Sequence, residues 1–220
     1  MYYPYVPHYR QPDSQQRIRT ITVTGKGIVS VQPDIARIQL GVVTEGESLR
    51  QTQQENAQTM NQVIESLIAL GISRENIQTT AYNIIPRYDY VDGQQVFRGY
   101  EVRNEITVET SIIEQTGTII DDAVENGVNH VSNIQFTVQD RERIYQEALV
   151  SALEDARVTA QTIAQTMQLN LDPTPIRIVE EITDEPITYK TFAASVDSLT
   201  TPIEPGEIMI MAKVNVKFQY

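Results

Sequence analysis

The sequence predicts an α+β protein built as two-layer sandwiches, in which mainly antiparallel sheets are covered by helices. Three observations support this fold class. Runs of alternating apolar and polar residues recur from residue 18 to the end of the chain, which is typical of half-buried strands. A strong turn signal, Asp92-Gly93, joins two of these runs as a hairpin. Three other segments repeat apolar residues every three or four positions, as amphipathic helices do.

The first predicted unit spans residues 18–92 and begins with two strands. Alternating runs at 18–31 and 35–46 flank the turn signal Pro33-Asp34. Because short turns join antiparallel neighbours, this arrangement predicts a hairpin.

A helix follows the first hairpin. Ser48 and Gln51 have the spacing of a capping box, which predicts the start of the helix. Gly71 predicts its end, since glycine adopts the left-handed conformation that terminates helices. The runs at 77–90 and 95–110 then predict the long hairpin that closes on Asp92-Gly93.

The second predicted unit spans residues 93–220 and repeats this order of elements. A short helix should end at Gly127, and a strand should follow at 131–138. Gly71-Ile72 and Gly127-Val128 each stand between a helix and a strand, which indicates two related helix–strand units. Strands are predicted over 176–182 and over 207–220.

A long helix is predicted over 141–169, with Asp140 as its N-cap and Asn170 as its C-cap. One face of this helix is rich in alanine, and small side chains let a helix lie close to a sheet. The residues on this face are Tyr145, Leu149, Ala152, Ala156, Ala160, Ile163 and Met167.

Two segments lack periodicity. Residues 1–17 hold four tyrosines and three prolines, which predicts a flexible Tyr/Pro-rich tail, with a docking arm as the functional alternative. Residues 184–206 predict a long acidic loop in the second unit. The surrounding stretch, 172–207, carries eight acidic residues against Arg177 and Lys190, a net charge of −6.

Composition excludes several classes of function. The net charge of −12 disfavours binding to nucleic acid or to anionic lipid. Without cysteine and with only two histidines, the chain has few ligands for a metal site, and no cofactor is predicted. No apolar run reaches the ~20 residues that a membrane-spanning helix needs. Because residues 1–17 lack the apolar segment of an export signal, a cytoplasmic location is expected.

Two motifs have a functional and a structural interpretation. Gly25-Lys26-Gly27 suggests a phosphate-binding loop, but a strand follows it where such a loop requires a helix. A β-bulge or a close crossing of another strand is therefore the favoured interpretation. His130 has no second histidine in the folded part of the chain, which favours an ordinary hydrogen-bonded histidine over a metal ligand.

The sequence gives only a weak signal for acid–base catalytic residues. Three adjacent carboxylate pairs cannot act as dyads, because neighbouring side chains diverge on a helix and face opposite sides on a strand. These pairs are Asp121-Asp122, Glu180-Glu181 and Asp184-Glu185. No serine elbow and no zinc-protease motif occurs. The remaining enzymatic alternative is a hydrolase-type site that combines dispersed carboxylates such as Glu180 and Asp184.

Four tyrosines cluster around the long hairpin: Tyr82, Tyr88, Tyr90 and Tyr100. Aromatic residues favour strands, so packing within the sheet is the favoured explanation. An exposed aromatic contact surface is the alternative.

A series of short motifs runs in order through residues 18–219. They are Ile21-x-Val23-x-Gly25-x-Gly27, Val31-x-Pro33-Asp34-x-Ala36-x-Ile38-x-Leu40-Gly41-Val42, Gly71-Ile72 with Ile77-Gln78-Thr79, Pro86-x-Tyr88-x-Tyr90, Gly99-Tyr100-Glu101-Val102, Gly127-Val128-Asn129, Ile134-x-Phe136, and Ala148-x-x-x-Ala152 with Asp155-Ala156. In this order and spacing the chain resembles the SIMPL-domain family of mostly bacterial proteins.

The resemblance implies a two-part α+β fold with no established catalytic residues. Members of the family are often envelope or periplasmic proteins with an export signal, and some are linked to oxidative-stress defence. This chain has a Tyr/Pro tail where such a signal would stand.

The sequence predicts a non-enzymatic module that binds a protein or assembles with itself, because strands are plentiful and no catalytic constellation is readable. The final strand, 207–220, carries apolar residues at alternate positions, and an unpaired strand edge invites another chain. We therefore expect a homo-oligomer held by sheet edges or helix faces, with the acidic loop outside the contact.

Overall fold

The structure is a computed structural model that describes residues 19–181, 189–190 and 200–220. Within these residues it contains two antiparallel sheets and three α-helices, which confirms the predicted α+β class. The elements in chain order are β1 (Thr20–Val31), β2 (Ile35–Gly46), α1 (Leu49–Ala69), β3 (Ile77–Val91), β4 (Gln94–Thr110), α2 (Thr116–Glu125), β5 (His130–Thr137), α3 (Arg141–Thr166), β6 (Pro175–Glu181), β7 (Tyr189–Lys190) and β8 (Glu207–Gln219).

The chain divides into two compact units. One, here called the β2–β5 unit, comprises Val29–Tyr145 and Glu185–Ile210, and the other, the α3 unit, comprises Met1–Ile28, Gln146–Asp184 and Met211–Tyr220. The sequence-based boundary between residues 92 and 93 lies inside the β2–β5 unit, because it separates β3 from β4, which pair along their length.

The sheet of the β2–β5 unit has the strand order β3-β4-β2-β5, and every pair in it is antiparallel. Two helix-containing connections build this sheet: β2-α1-β3 and β4-α2-β5. Together they form the split β-α-β arrangement, in which two β-α-β halves interleave their strands. The interleaving places β2 and β4 at the centre and leaves β3 and β5 as edges.

The core of this unit lies between the sheet and the helices α1 and α2. Alternate residues of the central strands point toward the helices, as the period of two requires. The buried core residues are Ile38, Leu40, Val42, Met60, Val63, Leu67, Ile72, Ile106, Val108, Ile119, Ile120, Ala123 and Val128.

The two helices end in the same way. In α1, the Gly71 N–H donates to the Ile68 carbonyl oxygen, and the Ile72 N–H donates to that of Leu67. Gly71 has a φ of 94°, as predicted for a helix end. In α2, Gly127 and Val128 make the corresponding bonds to Val124 and Ala123, and Gly127 has a φ of 114°. Ile72 and Val128, the residues after the glycines, then enter the core.

The second sheet has the order β1-β8-β6, with β7 also paired to β8. Ile163 and Met167, which were predicted on the alanine-rich face of α3, are exposed, whereas Ala148 is buried. In the α3 unit, α3 packs against β1 through this alanine-rich face. Its alanines at 148, 152, 156 and 160 have no exposed surface. At Gly25 and Gly27, an added Cβ would overlap the carbonyl oxygens of Ala152 and Ala148. The backbone that approaches Gly25-Lys26-Gly27 is thus that of a helix, and not the crossing strand that was predicted.

The predicted hairpin over 18–46 is wrong, because β1 and β2 belong to different sheets. The turn signal between them is bonded to a distant part of the chain. The Asp34 N–H donates to the Thr137 carbonyl oxygen at 3.1 Å, and the Asp34 carboxylate accepts from the Gln139 N–H at 2.7 Å. These bonds direct the chain away from β1 and into the sheet beside β5.

Three smaller expectations also change. Ser48 precedes α1, but its side chain makes no capping bond. Instead its carbonyl oxygen accepts from the Thr52 N–H and hydroxyl, both at 2.9 Å. The helix α3 ends at Thr166, and Gln168, with a φ of 53°, takes the left-handed position expected near Asn170.

The final strand, β8, is interior to its sheet, since β1 lies on one side and β6 and β7 on the other. It therefore offers no free edge for self-association. The expected tail at 1–17 lies outside the described residues, as does the expected acidic loop at 184–206 apart from β7 and residues 200–206.

Candidate interaction surface

The hairpin of β3 and β4 extends past the rest of its sheet. The last pair between β2 and β4 joins Gly46 to Tyr100, whereas β3 and β4 continue to pair as far as Val91 and Gln94. Residues 86–99, here called the β-arm, are therefore a two-stranded ribbon beside which the described part of the chain places no further strand. At a rise of ~3.4 Å per residue, the ribbon projects on the order of 20 Å.

Local sequence explains the end of the β-arm. Asp92 and Gly93 have φ angles of 53° and 80°, both in the left-handed region. A two-residue turn with positive φ at both positions matches the twist of an antiparallel ribbon. The predicted Asp92-Gly93 hairpin is thus confirmed, and this turn fixes the register of the ribbon.

One surface of this hairpin is rich in aromatic side chains. It continues the side of the sheet that carries α1, since Gln53 of α1 donates to the Tyr82 hydroxyl at 3.2 Å. We call this surface the aromatic face, and its members are Tyr82, Ile84, Tyr88, Tyr90, Phe97 and Tyr100. The Phe97 ring lies edge-on to two neighbours, at centroid distances of 5.6 Å to Tyr88 and 5.2 Å to Tyr100. These contacts hold the aromatic rings in place.

The aromatic face is largely uncovered. The exposed fractions of five of its residues are 47% for Tyr82, 37% for Ile84, 47% for Tyr88, 76% for Tyr90 and 45% for Phe97. The favoured prediction, packing within the sheet, is therefore wrong for Tyr82, Tyr88 and Tyr90, whereas Tyr100 is half-buried against Phe97. Tyr88 and Tyr90 are exposed because, among the described residues, no third strand lies beside the β-arm. The alternative prediction of an exposed aromatic surface matches the structure.

Ion pairs occur on the other side of the ribbon. Arg98 Nε lies 2.7 Å from Asp89 Oδ2, and Arg87 pairs with Glu45 at the end of β2. The exposed aliphatic side chain of Val96 lies opposite Asp89 on the neighbouring strand. From residue 84 to 99 two arginines balance two aspartates, so the segment has a net charge of zero. This segment is neutral although the whole chain carries −12.

His130 lies at the start of the edge strand β5. Its Nε2 is 3.9 Å from Glu105 Oε1, and Arg103 Nη1 lies at the same distance from that oxygen. The surroundings of His130 are thus an ionic surface rather than a set of metal ligands. Across the described ranges, no group of three His, Asp or Glu side chains is arranged to hold a metal ion.

The carboxylate pairs do not form an acid–base site among the described residues. Two hydrogen bonds from Thr201, first from its hydroxyl and then from its N–H, lower the pKa of Asp121. The ammonium of Lys213, followed by the amide of Asn215, lowers the pKa of Glu181. Lowered pKa values keep both groups ionised, whereas a general acid needs a raised pKa.

Glu180 lies on β6 opposite Val214, and it is exposed. Its suggested partner Asp184 lies outside the described residues. An acidic cleft elsewhere in the β2–β5 unit is built from other carboxylates. It is a cleft of about 400 Å³ beside α2 lined by Gln32, Pro33, Ile113, Glu114, Glu204, Pro205, Gly206 and Glu207. Its ionisable side chains are the carboxylates of Glu114, Glu204 and Glu207.

The pKa of Asp121 leads to a pH-dependent prediction. Because the pKa of Asp121 in the folded protein lies below its ordinary value of 3.8, its contribution to stability is present above pH 3.8 and disappears as the pH falls toward the folded pKa. We expect Asp121→Asn to melt at a lower temperature than the wild type at pH 7, and the difference to vanish at low pH. Thermal melts from pH 7 to pH 2.5 check this, with exposed Glu125→Gln on the same helix as the control. A difference that grows on acidification would contradict the assignment.

The sequence did not single out Phe97, which the structure places at the centre of the aromatic face. A usable signal was present in the lengths of the strands. β3 and β4 have 15 and 17 residues, whereas β2, the neighbour of β4, has only 12. The hairpin of β3 and β4 therefore extends beyond the rest of its sheet.

No helix in the described part of the chain is long and apolar enough to span a bilayer.

Comparison with known proteins gives several bacterial relatives. The chain is 28% identical over 213 residues to the 26 kDa periplasmic immunogenic protein of Brucella melitensis, with 90% of this chain and 84% of the relative covered. It is 27% identical to the protein of that name from Brucella abortus, with the same coverage. It is 24% identical over 153 residues to the uncharacterized protein YggE of Escherichia coli, with 70% of this chain and 62% of that protein covered.

These relatives correct the expected location. The two Brucella proteins are named as periplasmic, which contradicts the cytoplasmic location expected from the sequence. That expectation depended on the composition of residues 1–17, which does not define where the rest of the chain folds.

The motifs on which the resemblance depends are distributed over both compact units. The family model described as "SIMPL: Protein of unknown function (DUF541)" matches residues 21–218, which include every helix and nearly every strand residue. The chain therefore belongs to the SIMPL family, as its motifs predicted.

Proposed function

We propose that this protein is a non-enzymatic module that assembles with itself through protein–protein contacts. The observation that carries the proposal is the uncovered aromatic face of the β-arm. Contiguous exposed apolar surface on a folded protein marks a site of contact. Tyrosine and phenylalanine are also the residues enriched where such contacts form.

The energetics of the β-arm support the same conclusion. An isolated two-stranded ribbon is marginally stable in water, because neither of its faces is buried. In this ribbon the rings of Tyr88, Phe97 and Tyr100 are nevertheless held in defined contacts. Covering the aromatic face would remove apolar surface from water and stabilise the ribbon, which is the thermodynamic basis for assembly.

We also propose that the protein works in the periplasm, and the names of the Brucella relatives support this location. The family resemblance supports a contribution to stress defence there. Osmotic-shock fractionation of the native bacterium tests the location: the protein should leave the cell with periplasmic markers. Retention with cytoplasmic markers would contradict it. Peroxide survival of a deletion strain tests the contribution to stress defence.

The assembly itself is tested by light scattering during size-exclusion chromatography at micromolar protein and moderate salt. We expect a mass of at least two chains of 24.9 kDa. The mass of a single chain across a tenfold dilution would contradict the proposal. Deletion of residues 1–17 is the matched control, because assembly through the folded strands survives it, whereas assembly through the tail does not.

A further inference from the structure

We infer that the aromatic face of the β-arm packs against the same face of a second copy of this chain, so that two β-arms pair across a two-fold axis. This inference rests on the proposed self-assembly and specifies the surface and the partner. Three properties of the described residues support it: local charge, available area and the rigidity of the rings.

Charge selects a second copy over a basic partner. The chain carries −12, and a cationic protein would be drawn to its acidic surface. Two copies of such a chain repel each other unless they meet where the local charge is low. The segment 84–99 is neutral, and both of its arginines are paired within the chain, Arg98 with Asp89 and Arg87 with Glu45. The β-arm is therefore a surface through which two acidic copies can meet with little repulsion.

The available area is sufficient for a small specific interface. The aromatic face presents four aromatic residues that are about half or more exposed: Tyr82, Tyr88, Tyr90 and Phe97. At ~200 Å² per whole side chain, the exposed parts of these four and of Ile84 offer on the order of 500 Å². Two copies would bury about 1,000 Å², the lower limit for a specific contact.

The rings are already ordered before any contact forms. Phe97 is held between Tyr88 and Tyr100 by edge-to-face contacts with interplanar angles of 67° and 71°. Side chains that are fixed in advance lose less conformational freedom when an interface forms. A two-fold contact also needs a patch that is complementary to itself, and an uncharged aromatic patch meets this condition.

A pair of adjacent substitutions tests the surface. Phe97 and Val96 are neighbours on β4 with similar exposures of 45% and 37%, and they point to opposite faces of the ribbon. We expect Phe97→Lys to raise the dissociation constant of the assembly at least tenfold, because it places like charges opposite each other. Val96→Lys should change it less than threefold. Tyr90→Lys, at a position 76% exposed, serves as a second variant that should act like Phe97→Lys with the fold intact.

The outcomes separate the inference from the proposed function. A single-chain mass for the wild type overturns both. An oligomer that persists in Phe97→Lys and Tyr90→Lys overturns the inference alone. An equal loss of assembly in Val96→Lys also overturns the inference, since the contact would then not be specific to the aromatic face. Equal melting temperatures of the variants exclude unfolding as the cause.

Distance measurement identifies the occupant of the face. The chain has no cysteine, so a Val96→Cys variant takes one nitroxide label per copy. Stacked ribbons lie ~10 Å apart, so labels on their outer sides should lie within about 30 Å of each other. We expect pulsed electron–electron double resonance to give a label-to-label distance in that range. An assembled protein whose labels are farther apart would show that the β-arm docks elsewhere or on a different partner.

Discussion

Replacing Gly27 with alanine should lower the free energy of unfolding by at least ~2 kcal/mol, within the range for overpacked interiors. A Cβ at Gly27 would overlap the Ala148 carbonyl oxygen and lie 2.6 Å from the Ala152 nitrogen. Both are backbone atoms of α3, so the overlap cannot be relieved by a side-chain rotation. The helix has to move away from β1 and lose packing along its alanine face.

Thermal unfolding measures this effect. For a chain of this size each kcal/mol shifts Tm by about 2–4 °C, so a decrease of at least 4 °C is expected. Thr22→Ala is the matched control, since Thr22 is an exposed residue of the same strand. If Gly27→Ala melted within a degree of the control, the close approach of α3 to β1 would be contradicted.

Replacing Asn56 with leucine should lower the free energy of unfolding by about 2 kcal/mol. Asn56 is fully buried in α1, and its Nδ2 donates to the carbonyl oxygens of Val42 and Val102 at 2.9 and 3.1 Å. These oxygens belong to the central strands β2 and β4, so one amide anchors the helix to both. Leucine leaves the two acceptors without this donor, and each lost bond to a buried acceptor costs about 1–3 kcal/mol.

Part of that cost is offset, because the Oδ1 of Asn56 has no hydrogen-bond partner in the described part of the chain and leucine removes it. Urea unfolding of Asn56→Leu beside Gln54→Leu separates the anchor from a general effect on the helix, since Gln54 is exposed on the same helix. If Asn56→Leu were as stable as the wild type, hydrophobic packing alone would position α1.

Local chemistry determined which parts of the fold were predictable. The turn at Asp92-Gly93 and the helix end at Gly71 depend on residues that adopt positive φ, and such residues are visible in a sequence. The pairing of β1 was not predictable in this way. Its alternation shows that it is a strand but not which strand lies beside it, and the bonds of Asp34 to Thr137 and Gln139 connect positions about 100 residues apart.

The candidate surface was predictable only in part. The tyrosines of the long hairpin were recognised in the sequence. Strand propensity predicted that they pack within the sheet, but Tyr82, Tyr88 and Tyr90 are exposed. Whether an aromatic residue on a strand is buried depends on what lies over it, and that depends on how far neighbouring elements extend. Tyr88 and Tyr90 are exposed because β2 ends opposite Tyr100. Relative strand lengths, more than residue type, therefore indicate this surface.

If the β-arm is covered when the protein assembles, its backbone amides should be protected in the assembled protein. Hydrogen–deuterium exchange of peptides from residues 86–99, at protein concentrations above and below the dissociation constant, measures this protection. Peptides from α2 serve as the internal reference. We expect slower exchange of the β-arm in the assembled protein, with no change in α2. Equal exchange of the β-arm at both concentrations, while light scattering shows assembly at the higher one, would contradict this expectation.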